Sequence, residues 1–206
     1  MVRAMRNHLT RAAAIVALAA ALGIGGTAAA AVPAREQPGS VELVDMPVQL
    51  AAWARWAVDL FAEAGLELPP IHYRYHDGDM SFCNGRDGLQ QPDGAVNVIE
   101  LCTTRLDFGT QVMILHETAH AWADHTLTEE TRTRFQELRG WTYWRNYEKA
   151  PWHENGTEQA AEIMVWGLID RPIWMVRIDQ NSCDDLLAGY LVLTGRQPLH
   201  GFTDYC

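Results

Sequence analysis

Apolar residues first recur at helical spacing at Leu50, Trp53, Ala54, Ala57, Leu60, Phe61 and Ala64, which predicts an amphipathic helix beginning at Pro47. Gly65 and the pair Pro69-Pro70 end it. The period then shortens to two: residues 71–76 alternate as a short strand, and residues 95–102 read as a second. Between them, residues 77–94 are crowded with Gly, Asp and Asn and are expected to form one long turn. Helical spacing dominates the remainder. Residues 110–125 make one predicted helix, and 128–139 a second with Thr128, Glu130 and Thr131 in its first turn. Residues 157–169 make a third, strongly apolar and stopped by Arg171-Pro172, and 183–193 a last one closed by Gly195. Residues 141–155 are aromatic and irregular. The expected fold is α+β and mainly helical: a single domain over 47–206, with a small β-sheet before the helix at 110–125.

The N-terminus follows a different plan. Arg3, Arg6 and Arg11 precede an apolar run at 12–24, and small residues at 27–31 supply Ala-x-Ala sites just before Val32-Pro33. That order predicts a secretory signal peptide at 1–31, cut after Ala29, Ala30 or Ala31, and a secreted or extracytoplasmic protein. An uncleaved anchor is the alternative, because residues 12–32 are just long enough to span a bilayer. The run is rich in alanine and glycine and has no basic flank on its far side, which favours removal. Residues 32–46, with Pro33, Pro38 and Gly39, are expected to be a linker.

Charge and cysteines narrow the class. Losing the leader's three arginines takes the formal charge from −10 to −13, which disfavours nucleic acid or anionic membrane as partners. Four cysteines remain, an even number that in an exported chain suggests two disulfides. Of three connectivities the local one is preferred: Cys83–Cys102, stapling a turn, and Cys183–Cys206, stapling the tail. No Cys-x-x-Cys spacing supports a cysteine zinc site.

The chemistry-bearing motif is His116-Glu117-Thr118-Ala119-His120. Residues four apart on a helix lie on one face about 6 Å apart, so the two imidazoles can converge on one ion. Glu117 borders the same site without occupying it, which suits a general base acting on a metal-activated water. With 8 His and 13 Glu in the chain, this pattern arises by chance about 0.02 times per sequence of this length. Val112, Met113, Ile114, Leu115, Ala119, Ala121 and Trp122 leave the helix little polar surface, so its histidines and glutamate need partners. Zinc, the expected cofactor, needs a third protein ligand and an open position for catalysis. The helix at 158–169 is apolar except for Glu158, Gln159, Glu162 and one glycine. Two buried carboxylates four apart repel unless a cation and its ligands compensate them. Glu158 is assigned to the metal, and Glu162 to the other ring N–H of a ligand histidine. A capping box from Asn155 to Glu158 is the structural alternative, and His153 and Glu154 are further candidate ligands.

His116-Glu117-Thr118-Ala119-His120 followed by Glu158-x-x-x-Glu162 resembles the gluzincin branch of the zincin metallopeptidases, in which, as in thermolysin, a downstream helix supplies a glutamate ligand. The chain is also similar to uncharacterised short secreted bacterial proteins with a zincin-like core. The resemblance covers roughly residues 95–170 and implies ligands at His116, His120 and Glu158, with Glu117 catalytic. Glu162 stands where better-known members have aspartate, and the spacing from His120 to Glu158 is longer than in thermolysin-like enzymes. No His-x-x-Gly-x-x-His extension follows His120, as a metzincin would require.

A mechanism of that type also wants a donor for the developing oxyanion, for which Tyr143, Tyr147, His153 and Tyr190 are available. Asp124 either orients a ligand or is an exposed charge near the helix end, and His125 is expected at the surface. Trp141, Trp144 and Trp152 are expected in the core rather than in a substrate groove. Asn155-Gly156-Thr157 matches a glycosylation acceptor, but it abuts the ligand helix and is read as that helix's start. The leading expectation is therefore a secreted zinc-dependent hydrolase acting on a peptide or protein substrate. A non-catalytic zincin-like domain, with the metal serving structure or partner binding, is the second expectation. A hydrolase of a non-peptide amide such as cell-wall material is the third.

Overall fold

The computed structural model of the chain describes residues 39–171 and 178–201. The expected leader at 1–31, residues 32–38 of the expected linker, Pro172 and Cys206 lie outside the described residues.

The first helical pattern folds as α1 (Val48–Glu63), which buries Leu50, Ala54, Ala57 and Phe61 along one stripe. Gly65, at φ 69°, turns the chain so that the Leu66 N–H reaches the Phe61 carbonyl at 2.8 Å. Four strands, β1 (Val41–Val44), β2 (Ile71–Tyr75), β3 (Gly88–Asp93) and β4 (Val96–Leu101), form a sheet in the order β1-β2-β4-β3. The first three in that order are parallel, and β3 runs antiparallel to β4 on the edge. Two of these strands correct the sequence reading. β1 lies within the stretch expected to be a linker, and β3 within the stretch expected to be one long turn. Both are edge strands with a single neighbour, so neither needs a long apolar alternation. β3 reads Gly-Leu-Gln-Gln-Pro-Asp, and its Pro92 is tolerated because an edge strand has one side without a ladder partner. The tight reversal from Asp93 to Val96, with Gly94 at φ 64°, was its one local signal.

The remaining helices are α2 (Phe108–Thr126), α3 (Glu129–Arg139), α4 (Gly156–Leu168) and α5 (Cys183–Thr194). Asp107, Thr128 and Ser182 cap α2, α3 and α5 by accepting backbone N–H groups from Thr110, Thr131 and Asp185. The fold is thus α+β in one domain, with the small sheet ahead of the motif-bearing helix α2. α2 contacts β3, β4 and α1 on one side and α4 on the other; α3 and α5 complete the surroundings of α4. Every residue of α4 is buried, polar ones included. A disulfide joins Cys83 to Cys102, tying the loop before β3 to the end of β4. Cys183 opens α5, and its expected partner Cys206 lies outside the described residues. Among the described residues no helix is long and apolar enough to cross a membrane.

Candidate metal centre

The motif occupies the middle of α2, where His116 and His120 are both buried and project toward α4. A hydrogen bond across the core sets the roll of this helix. Tyr73 of β2 donates to Thr118 Oγ1 at 2.8 Å, and Thr118 in turn donates to the Ile114 carbonyl at 2.7 Å. Burial raises the Tyr73 hydroxyl well above the usual tyrosine range, so it stays a donor at any physiological pH.

α4 is aligned by backbone contacts at its start. The Gly156 and Thr157 N–H groups donate to the Tyr143 and Trp144 carbonyls at 2.9 and 2.8 Å, satisfying helix-end donors that would otherwise be orphaned in the interior. A Cβ on Gly156 would stand 2.8 Å from the Trp144 ring, so this close docking requires glycine. The Asn155 side chain makes no cap to α4. Its amide donates to the Ala150 and Pro151 carbonyls, and its Oδ1 accepts from Asn146 N–H. The capping-box alternative for Glu158 is therefore not what this helix start uses.

Glu158 instead faces α2. Its Oε2 lies 3.0 Å from His116 Nε2 and 3.2 Å from His120 Nε2, and the two imidazole nitrogens are 3.0 Å apart. These three residues form a buried group able to hold a metal ion. A tetrahedral zinc with bonds of 2.0–2.1 Å separates its ligand atoms by roughly 3.3 Å, close to the spacing found here. The outer nitrogens are also engaged. Glu162 Oε1 lies 3.2 Å from His116 Nδ1, and Thr157 Oγ1 lies 3.2 Å from His120 Nδ1. Each can accept the outer N–H and so leave Nε2 as the free lone pair.

The electrostatics of the group favour a positive charge at its centre. Burial opposes a charged His116, but hydrogen bonds and charges from Glu158 and Glu162 outweigh it and raise its pKa to about 10. Burial likewise opposes a charged Glu158, yet the contacts from His116 and His120 prevail and hold its carboxyl well below the usual range.

Glu117 is half-buried beside the group, and its Oε2 accepts the Gln90 backbone N–H of β3 at 2.8 Å. Gly88 allows that approach, because a Cβ there would collide with Met113 of α2 and meet Glu117 Cγ at 3.2 Å. A cavity of about 300 Å³ opens onto Glu117, His116, His120 and Glu158, with Arg86, Arg145, Tyr147 and Trp152 on its walls. Tyr147 donates to Glu158 Oε1 at 2.5 Å, and burial pushes its hydroxyl upward, with Glu158 adding to the shift. The Trp152 ring stacks 5.9 Å from that of His116.

Of the four candidate oxyanion donors, Tyr147 lines the cavity, whereas Tyr143 and His153 do not. Tyr190 is fully buried where α5 crosses Gly167 of α4. Asp124 orients no ligand: it accepts from Arg145 Nη2 with both oxygens at 3.1 Å. His153 lies 3.9 Å from Asp179, and His125 is exposed. Trp152 was expected in the core and stands on the cavity wall instead.

Arg139, fully buried on α3, was not singled out from the sequence. It donates twice to Gln159 Oε1, at 3.0 and 2.8 Å, and to the Gln180 and Asp179 carbonyls at 2.8 and 2.5 Å. Gln159 then donates to the His153 carbonyl at 2.6 Å, which braces the turn carrying Trp152. Compared with known protein families, curated proteins and solved structures, the chain matches none.

Proposed function

We propose that this chain is an exported zinc-dependent hydrolase of the gluzincin type, acting on an amide bond of a peptide or protein. The observation that carries this reading is the convergence of His116, His120 and Glu158 on a cavity that also holds the Glu117 carboxylate. Two imidazoles and one carboxylate suit zinc, and a site that served structure alone would be closed by a fourth protein ligand. Here the three residues line a cavity, which would leave a bound ion room for water or substrate beside them. The ion would be held by His116, His120 and Glu158, and when bound it supplies Lewis acidity, polarising an acyl carbonyl and bringing water toward a pKa of about 7.

The chain's own residues account for the remaining work. Glu117, steadied by the Gln90 N–H, takes a proton from water as the oxygen adds to the acyl carbon. It then delivers that proton to the departing nitrogen as the C–N bond breaks. Tyr147 stands on the cavity wall, and its O–H, which here donates to Glu158 Oε1, would turn from that carboxylate to the developing oxyanion, a contact worth roughly 2.7–4 kcal/mol where such donors have been removed. Glu162 and Thr157 fix the imidazole orientations. The Cys83–Cys102 bridge accords with an oxidising compartment, as the leader-like N-terminus suggests.

The test is a peptide-library digest by zinc-loaded residues 32–206, with Glu117→Gln alongside. Turnover should be lost in the variant, while one zinc per chain is retained by elemental analysis. Equal turnover in both proteins removes Glu117 from its role. Full zinc occupancy with no cleavage of any peptide leaves the non-catalytic reading standing.

A further inference from the structure

Two arginines line the cavity, and they differ in their partners. Arg145 is matched by Asp124, with the same Nη2 also donating to Thr157 Oγ1 at 3.3 Å. Arg86 is left over. It is exposed, it has no ion pair among the described residues, and its guanidinium lies 5.6 Å over the Tyr147 ring. The adjacent carboxylate that might have neutralised it, Asp87, is paired with Arg105.

The loop that carries Arg86 is held in place. Asn84 and Gly85 both have positive φ, at 51° and 78°, reversing the chain immediately after Cys83. The Arg86 N–H closes on the Cys83 carbonyl at 3.0 Å, and the Cys102 N–H on the Asp87 carbonyl at 2.8 Å. The Cys83–Cys102 bridge locks these turns to the end of β4. A cross-linked loop presents the Arg86 guanidinium with less loop entropy left to lose on binding.

We propose that Arg86 is a specificity determinant that selects substrates bearing a carboxylate near the scissile bond. This rests on the hydrolase reading above and names its substrate class. The protein's formal charge of −10 gives an anionic ligand no long-range attraction, so selection has to be local. At physiological salt the screening length is about 8 Å, which mutes the distant acids but leaves a direct guanidinium–carboxylate contact intact. Arginine suits that contact because its planar fork can hold a carboxylate through two hydrogen bonds. The carboxylate belongs either to an acidic side chain or to a free peptide C-terminus, and the two are separable.

The experiment uses isothermal titration of zinc-loaded residues 32–206 with peptidyl hydroxamates, which report binding without turnover. One matched pair carries Glu or Gln beside the hydroxamate, and the other ends in a free carboxylate or a carboxamide. In at least one pair the acid should bind about tenfold tighter than the amide, equivalent to about 1.4 kcal/mol. The pair that discriminates identifies the source of the carboxylate. Arg86→Gln should bring that ratio within threefold while leaving the thermal midpoint unchanged, since the residue is exposed. Acid and amide probes binding equally to the wild type would overturn the assignment and leave the hydrolase reading untouched. A preference that survives Arg86→Gln would overturn it too and point to Arg145. If zinc is bound but no hydroxamate binds, the open-site reading fails and this assignment falls with it.

Discussion

Replacing Glu162 tests whether the centre is a tuned metal site or merely three polar side chains in proximity. Glu162 is buried, and its Oε1 lies 3.2 Å from His116 Nδ1, on the side of the ring away from Glu158. Glu162→Gln keeps an oxygen acceptor but loses the charge. Glu162→Ala removes the acceptor as well and frees the ring to turn. Outer partners of ligand histidines are worth about 10- to 100-fold in metal affinity. We therefore expect about tenfold weaker zinc binding for Glu162→Gln and about 100-fold for Glu162→Ala, or roughly 1.4 and 2.7 kcal/mol. Competition with a chromophoric chelator measures this directly. Thermal unfolding supplies a second reading, because a ligand that binds only the folded state stabilises it by RT ln(1 + [L]/Kd). At free zinc 100 times the wild-type dissociation constant the wild type gains about 2.7 kcal/mol. At the same free zinc Glu162→Ala would sit near its own dissociation constant and gain only about 0.4 kcal/mol. For a domain of this size the difference is roughly 5–9 °C in the zinc-induced shift. A Glu162→Ala affinity within threefold of wild type would show that His116 needs no such support, and the argument from its outer nitrogen would fail.

Other substitutions test the scaffold. Arg139→Met leaves Gln159 Oε1 and two backbone carbonyls without their charged donor, and should destabilise the protein by about 1–3 kcal/mol in urea unfolding. A loss below about 1 kcal/mol would mean that water or rearranged side chains replace the guanidinium. Tyr190→Phe should be neutral or slightly stabilising, because the Tyr190 hydroxyl is buried with no hydrogen-bond partner among the described residues and burial pushes its pKa up to about 12. A clear drop in thermal midpoint would reveal a partner for that hydroxyl.

The parts of the centre legible in the sequence are those fixed by helical period. His116 and His120 share a face of α2, as Glu158 and Glu162 do on α4, because residues four apart on any helix must. An apolar helix with two carboxylates announces that they need partners. The parts that were not legible come from segments whose direction no period specifies. Arg145 and Arg86 lie on loops, as does Tyr147, which the sequence offered only as one of four candidate donors, and the Gln90 contribution is a backbone N–H on an edge strand with no apolar pattern. Thr157 is invisible for another reason, since any threonine at a helix start reads first as a capping residue. α3 shows the pattern failing outright: Leu138 is 44% exposed while its neighbour Arg139 is 1% exposed, the reverse of what hydrophobicity predicts. Four hydrogen bonds make that inversion possible, and none of their acceptors is near Arg139 in sequence.

This division between helices and loops has a functional consequence. The proposed ligand atoms sit on buried faces of two helices packed against each other, where positions are set by core packing and are costly to change. The cavity mouth is built from Asn84, Arg86, Arg145, Tyr147 and Trp152, none of them on an α-helix or strand. Loops of that kind tolerate substitution, but they select a ligand only if something holds them still. Two braces do so here. The disulfide holds the Arg86 loop to β4, and the chain from Arg139 through Gln159 to the His153 carbonyl holds the turn bearing Trp152 to α3 and α4. Gln159 belongs to both systems, since it is braced by Arg139 and directly follows Glu158 on α4. Loosening Arg139 should therefore disturb the Trp152 wall and the Glu158 ligand together, whereas changes at Arg86 should alter ligand preference while zinc affinity stays constant.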